Sequence, residues 1–161
     1  MITKIIGSTL ILAASLIFYF EKRTSDMRVI KQVEAYLKLL IHIKNKVDAY
    51  GMPIEKVIQC CDPDTIKNCG LSYIQNNGYV PLYSRIENAD ITLDPTTKKI
   101  ILDFASEFGG AYATNQLKVC DNYIEQLRRR IVDIKEMQGK NAKVPLALAL
   151  CITFSLVLIL L

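Results

Sequence analysis

The side chains best suited to chemistry in this sequence are five cysteines and one histidine. Cys60 and Cys61 are adjacent, Cys69 follows in the next segment, and His42 is distant from all three. A zinc site needs three or four ligands in tetrahedral reach, whereas adjacent helical residues point about 100° apart. We therefore expect reduced thiols that pack as small apolar residues, with no metal and no cofactor.

Catalytic motifs are missing from the sequence. The run Gly109-Gly110-Ala111 lacks the Lys-Ser or Lys-Thr that follows a phosphate-binding loop. His42 lies between apolar neighbours, Ile41 and Ile43, and is expected to be a partly buried residue of a helical bundle. We therefore expect that the protein is not an enzyme. Of the three function classes considered in this section, a membrane enzyme has the least support from the sequence.

The most concentrated charge is Arg128-Arg129-Arg130. Three consecutive helical residues fan through about 200°, so they cannot all face one partner. We expect Arg128 and Arg129 to lie over the apolar stripe and Arg130 to point outward. Two interpretations stay open: a solvated face with ion pairs to Glu125 and Asp133, or a contact with an acidic partner surface.

The overall charge is mixed in sign. The net charge is +4, and all sixteen acidic residues lie between Glu21 and Glu136. A nucleic-acid binder would instead concentrate basic residues on one face. We expect no nucleic-acid partner.

Both ends of the chain are uncharged over long stretches, residues 5–20 and residues 144–161. At about 1.5 Å per residue, eighteen residues reach roughly 27 Å, which suffices for a hydrocarbon core. A cleavable signal peptide would end at small residues, but Ala13-Ala14-Ser15 is followed by further apolar residues. We expect a transmembrane helix over residues 1–20, a helical bundle over residues 21–143 and a second transmembrane helix over residues 144–161.

Basic residues flank the central region rather than the outer ends. They are Lys22, Arg23, Arg28 and Lys31 on one side, and Arg128, Arg129, Arg130, Lys135, Lys140 and Lys143 on the other. The positive-inside rule then predicts a bitopic hairpin in the cell membrane, with the central domain in the cytoplasm.

Small residues recur in the two uncharged stretches. Ala147, Cys151 and Ser155 are spaced four residues apart, and Gly7 and Ala14 lie two turns apart. Such stripes let helices approach closely. We hypothesise that these faces meet, either within one chain or between copies in a homo-oligomer; chance placement among lipid-facing residues is the alternative.

Helical spacing of apolar residues dominates the rest of the chain, and no alternating strand series occurs. A first helix is expected to continue from the uncharged segment to Tyr50, where Gly51-Met52-Pro53 stops it. Shorter helices are expected over residues 54–61, 65–77 and 80–88, and a longer one is expected to follow Asp94-Pro95 and to end at Gly109-Gly110. A last long helix, capped by Thr114, is expected to continue into the second uncharged segment. The fold class is all-α.

These features together resemble the stage III sporulation protein AB family of endospore-forming bacteria over nearly the whole chain. The matching features are the Gly51-x-Pro53-Ile54 break, the Phe108-Gly109-Gly110 turn with Gln116 soon after, and a long last helix with Leu127. The segment Val144-Pro145-Leu146-Ala147 departs from the glycine-rich start that this family usually shows in its terminal anchor.

The resemblance implies a fold and a setting. The bundle would be similar to the cytoplasmic domains of the inner-membrane platform protein in type II secretion and type IV pilus machines. The protein would sit in the mother-cell membrane around the forespore, within the sporulation channel complex. Its partners would be a SpoIIIAA-type ATPase, other stage III sporulation channel proteins and membrane lipid. The arginine cluster would then be the candidate ATPase contact.

A second class of protein would have nearly the same arrangement of segments in its sequence. A two-span sensor or adhesion module, with its helical bundle outside the cell, would also place two anchors around an amphipathic domain. The flanking basic residues and the unpaired cysteines favour the platform subunit over this alternative.

Overall fold

The computed structural model describes the backbone of residues 2–71, 81–89, 91–110 and 113–160. Side chains are described at residues 7, 13, 14, 16, 17, 19–54, 56–71, 81–89, 91–108 and 115–139. The helices in these ranges are α1 (Ile2–Tyr50), α2 (Ile54–Gln59), α3 (Pro63–Asn68), α4 (Leu82–Glu87), α5 (Pro95–Gly110) and α6 (Ala113–Leu160). No strand occurs in the described ranges, and the all-α prediction is confirmed.

The chain divides into two compact units. The terminal unit consists of Met1–Arg28 and Ile134–Leu161, and the central unit is Val29–Asp133. The terminal unit is therefore built from the first part of α1 and the last part of α6. The central unit contains the remaining parts of α1 and α6 and, among its described residues, the shorter helices α2 to α5.

The sequence predicts a membrane-spanning helix at each end of the chain. Within the residues that the structure describes, no helix is both long enough and apolar enough to cross a bilayer.

The core of the central unit is formed by apolar stripes on its three longest helical segments. In α1, buried residues recur every three or four positions, as the helical period requires: Val33, Tyr36, Leu39, Leu40, Ile43 and Val47. Phe104 of α5 packs its ring against Phe108, with centroids 5.3 Å apart, and edge-to-face against Tyr123 of α6 at 5.7 Å. Leu127 of α6 is fully buried. Burial of these aromatic and aliphatic side chains removes apolar area from water and so stabilises the folded state.

The predicted break after Tyr50 is confirmed. Gly51 has a φ of +56°, in the left-handed region, and its N–H donates to the carbonyl of Val47 at 2.9 Å. That hydrogen bond satisfies a carbonyl of the last helical turn, and the conformation favours glycine because it has no Cβ. Pro53 then precedes the first residue of α2.

The third helix is shorter than the sequence predicts and begins earlier. Asp62 caps α3 by accepting from the Thr65 N–H at 3.0 Å, and Pro63 and Asp64 already belong to that helix. Gly70, at a φ of +76°, ends it. The N–H groups of Gly70 and Leu71 donate to Lys67 and Ile66, the paired bonds of a Schellman motif. The predicted helix over residues 65–77 is therefore confirmed at residues 65–68 and wrong at residues 69–71, and residues 72–80 lie outside the described residues.

The starts of the later helices follow local sequence chemistry. Pro81 precedes α4 as predicted, and Asp94 accepts from the Thr97 N–H at 3.1 Å, which caps α5. α5 ends at Gly110, in agreement with the predicted stop at Gly109-Gly110. α6 begins at Ala113, so Thr114 lies inside the helix and is not the capping residue.

Gly51 offers a direct test of the first helix end. Gly51→Ala is expected to lower the free energy of unfolding by about 1 kcal/mol, because an alanine Cβ is disfavoured at positive φ. Among the described residues, no atom lies within 4 Å of a Cβ built at Gly51, so the expected loss is conformational and not steric. Gly139→Ala, inside α6, is the matched control and is expected to stabilise by up to about 1 kcal/mol. Equal effects of the two substitutions in urea unfolding would contradict this account.

Candidate interaction surface on the last helix

Arg130 has the opposite orientation to the one that the sequence predicts. Its side chain is only 23% exposed, whereas that of Arg129 is 76% exposed and Arg128 is also exposed. The expectation that Arg130 would point outward, with its two neighbours over the core, is therefore wrong. Arg130 therefore faces inward, whereas Arg128 and Arg129 face solvent.

Arg130 ties α6 to the start of α5. Its Nη2 donates to Asp94 Oδ2 at 2.9 Å, and its Nε donates to Thr97 Oγ1 at 3.3 Å. The Thr97 hydroxyl in turn donates to the other oxygen of Asp94, and Thr97 is fully buried. One carboxylate therefore caps α5 and also holds the guanidinium of α6, an arrangement in which each polar group finds a partner.

The same network lowers the pKa of Asp94. Partial burial by itself would raise that pKa, but the hydrogen bonds from Thr97 and the charge of Arg130 outweigh it. Because the folded-state pKa lies below the unfolded one, the contribution of Asp94 to stability is complete above the ordinary carboxyl pKa. It is lost as the pH falls through the lowered value.

Two further side-chain links join α1 to the rest of the central unit. The buried Gln32 accepts through Oε1 from the N–H and the hydroxyl of Thr92, at 3.2 and 3.1 Å, and so holds the segment before α5. Lys44 donates to Asp121 of α6 at 2.6 Å, and this hydrogen bond raises the pKa of Lys44. Sequence reasoning missed both links, since nothing local to Gln32 or Lys44 indicates a partner so far along the chain.

Arg128 and Arg129 lie on a continuous exposed stripe, which we call the outer face of α6. Its members follow helical spacing, and each is exposed: Lys118, Asp121, Asn122, Glu125, Arg128, Arg129, Val132 and Asp133. Arg129 pairs with Glu125 one turn earlier at 3.1 Å, an exposed pair that stabilises the helix by only a few tenths of a kcal/mol. Val132 is apolar and 61% exposed. Arginine beside an exposed apolar side chain is a composition typical of protein interfaces.

Three of the four cysteines whose side chains the structure describes are buried, as a packing role requires. Cys61, Cys69 and Cys120 are buried, and burial raises the pKa of each thiol, that of Cys120 to about 11. Cys60 is exposed. In the described part of the chain, no three histidine, cysteine or carboxylate side chains gather as metal ligands would. Buried thiols of raised pKa are poor nucleophiles at neutral pH.

His42 is a partly buried residue of α1, as the sequence predicts. Its Nε2 has no hydrogen-bond partner among the described residues.

The predicted helix-packing stripes are described only in part. Gly7 and Ala14 belong to α1, Ala14 is exposed, and a Cβ built at Gly7 would meet no described atom within 4 Å. Ala147, Cys151 and Ser155 belong to the backbone of α6, and their side chains lie outside the described residues. The pairing of these faces stays a prediction.

Comparison with known proteins identifies one family. Residues 84–161 match the family model of stage III sporulation protein AB. This range includes the Phe108-Gly109-Gly110 turn, Gln116 and all of α5 and α6, and the Gly51-x-Pro53-Ile54 break lies before it. The match confirms the family resemblance over residues 84–161, and the resemblance drawn for the residues before them stays a prediction. No curated protein and no solved structure matches the chain.

The divided roles of the arginines predict unequal mutational effects. Arg130→Gln is expected to lower the free energy of unfolding by about 1–2 kcal/mol, because it leaves the partly buried Asp94 without its charged donor. Arg129→Gln should change it by less than about 0.5 kcal/mol, since that side chain is exposed. Urea unfolding of both variants at neutral pH measures the difference. A loss at Arg129 as large as that at Arg130 would contradict the inward assignment.

Proposed function

We propose that this member of the stage III sporulation protein AB family is a structural subunit of the channel complex between mother cell and forespore. In this role it is a platform, not an enzyme, and it couples a SpoIIIAA-type ATPase to the membrane assembly. Other stage III sporulation proteins are its partners in that assembly. The observation that carries the proposal is the family match over residues 84–161, which contains the whole outer face of α6.

Membrane attachment is supported by the way charge is distributed along the chain. Residues 5–20 and 144–161 are uncharged, and both stretches belong to the terminal unit. That unit holds seven basic and three acidic residues, whereas the central unit holds thirteen of each. The entire net charge of +4 therefore belongs to the terminal unit. Basic residues beside apolar segments are typical of the cytoplasmic side of a membrane, and we propose the bitopic hairpin with a cytoplasmic central unit.

The internal links of the central unit suit a part that transmits displacement. Arg130 joins α6 to α5, Gln32 joins α1 to the segment before α5, and Lys44 joins α1 to α6. A unit tied by such links moves as one body, because packed interiors yield little to small forces. Movement imposed on α6 by a motor would thus reach α1 and α5 together.

The outer face of α6 is the proposed ATPase contact. Arg128 and Arg129 offer forked donors for carboxylates, and Val132 offers an apolar anchor beside them. Arg130 is excluded from this contact, because Asp94 and Thr97 already hold its guanidinium.

Co-purification with the SpoIIIAA-type ATPase tests this surface. Arg128→Glu with Arg129→Glu is expected to weaken binding about tenfold or more, equivalent to about 1.4 kcal/mol, because it removes two donors and repels an acidic partner. Lys56→Glu with Lys67→Glu changes the charge equally at exposed sites on α2 and α3 and should leave binding unchanged. Unchanged binding of the arginine variant would refute the contact.

The exposed Cys60 is a native reporter of topology for the central unit. A membrane-impermeant thiol reagent added to intact cells should fail to label the protein, and labelling should appear after lysis. Cys60→Ser is the matched control, which should lose most of the signal because Cys61, Cys69 and Cys120 are buried. Labelling of Cys60 in intact cells would place the central unit outside and favour the sensor or adhesion module instead.

A further inference from the structure

A groove in the terminal unit brings basic side chains from both of its helices to one place. It is lined by Tyr19, Arg23, Asp26, Met27, Lys135, Gln138 and Gly139, and its volume is about 330 Å³. We call it the basic groove. The α1 residues share one helical face, and so do the α6 residues, as their spacing of three and four positions requires.

At the basic groove, a hydrogen bond joins α1 to α6. Gln138 Nε2 donates to the backbone carbonyl of Asp26 at 3.0 Å. Next to it, a Cβ built at Gly139 would meet no atom of the described residues within 4 Å, and Gly139 itself lines the groove. A hydrogen bond therefore joins the two helices at the groove, and the described residues leave space beside Gly139.

The basic groove lies beside the uncharged segments. Arg23 is three residues, about 4.5 Å along the helix, beyond residue 20. Gly139 is five residues, about 7.5 Å, before residue 144, and Lys135 lies one turn further away. The headgroup region of a bilayer is about 5–8 Å deep on each side. If the uncharged segments occupy the hydrocarbon, the groove lies at the level of lipid headgroups and just beyond.

We propose that the basic groove binds the headgroup of an anionic phospholipid, an inference that rests on the proposed membrane attachment. Arg23 and Lys135 would contact the phosphate, which a guanidinium and an ammonium bind through charge-assisted hydrogen bonds. The Asp26 carboxylate would accept from a glycerol hydroxyl, and Tyr19 belongs to the residue types that prefer the interface. The +4 charge of the terminal unit favours an anionic over a zwitterionic lipid.

Native mass spectrometry of the full chain, released from detergent in the presence of added lipid, tests the groove. Phosphatidylglycerol adducts should exceed phosphatidylcholine and phosphatidylethanolamine adducts, and Arg23→Gln with Lys135→Gln should weaken phosphatidylglycerol binding about tenfold. Lys56→Gln with Lys67→Gln, an equal charge change at exposed sites of the central unit, should leave binding unchanged. Gly139→Leu fills the groove without changing charge and should also weaken binding, while circular dichroism verifies that each variant stays helical.

Several outcomes would overturn the inference. Equal binding of the three lipids would do so, as would undiminished phosphatidylglycerol binding by groove variants that remain helical. So would a control variant that loses as much phosphatidylglycerol binding as the groove variants do. Displacement of the lipid by soluble glycerol phosphate at matched concentration would overturn it as well. Flotation of the wild-type chain with phosphatidylcholine vesicles tests membrane attachment separately. Failure to float refutes the proposed attachment, whereas flotation without a preference for phosphatidylglycerol refutes only the groove.

Discussion

A guanidinium that is only 23% exposed requires a carboxylate beside it, and in the central unit this requirement links α5 to α6. Asp94 meets it while also capping α5, so that one residue sets both where α5 begins and how its first turn faces α6. The buried Thr97 completes the arrangement by bonding to both partners. Loss of any member would leave another polar group desolvated and unpaired.

Apolar burial supplies the bulk of the stability, and the polar links supply geometry. A fully buried leucine, isoleucine or phenylalanine contributes about 1.5–3 kcal/mol, and the stripes on α1, α5 and α6 contain many such residues. An exposed pair such as Arg129–Glu125 contributes a few tenths at most. Apolar stripes alone would permit several arrangements of the helices. The hydrogen bonds of Arg130 and Gln32 therefore select one of them.

The two units have surfaces of different electrostatic character, and the two proposals assign them different partners. The neutral central unit presents a mixed-sign face with an exposed apolar residue, suited to short-range contact with a protein. The basic terminal unit attracts anionic surfaces at longer range, within the limit that salt screening sets. Separate surfaces would let one chain hold a motor and a membrane at the same time.

The sequence by itself determined the all-α class, the break at Gly51, the capping of α5 by Asp94 and the burial of most described cysteines, because each depends on backbone chemistry or periodicity within a few residues. It also contained the family resemblance that the match over residues 84–161 confirms. Only the tertiary structure decided the inward turn of Arg130 and the partner of Gln32. The basic groove, too, appears only when α1 and α6 lie side by side. In each of these cases the partner lies tens of residues or more away in the chain, where helical periodicity carries no information about which faces will meet.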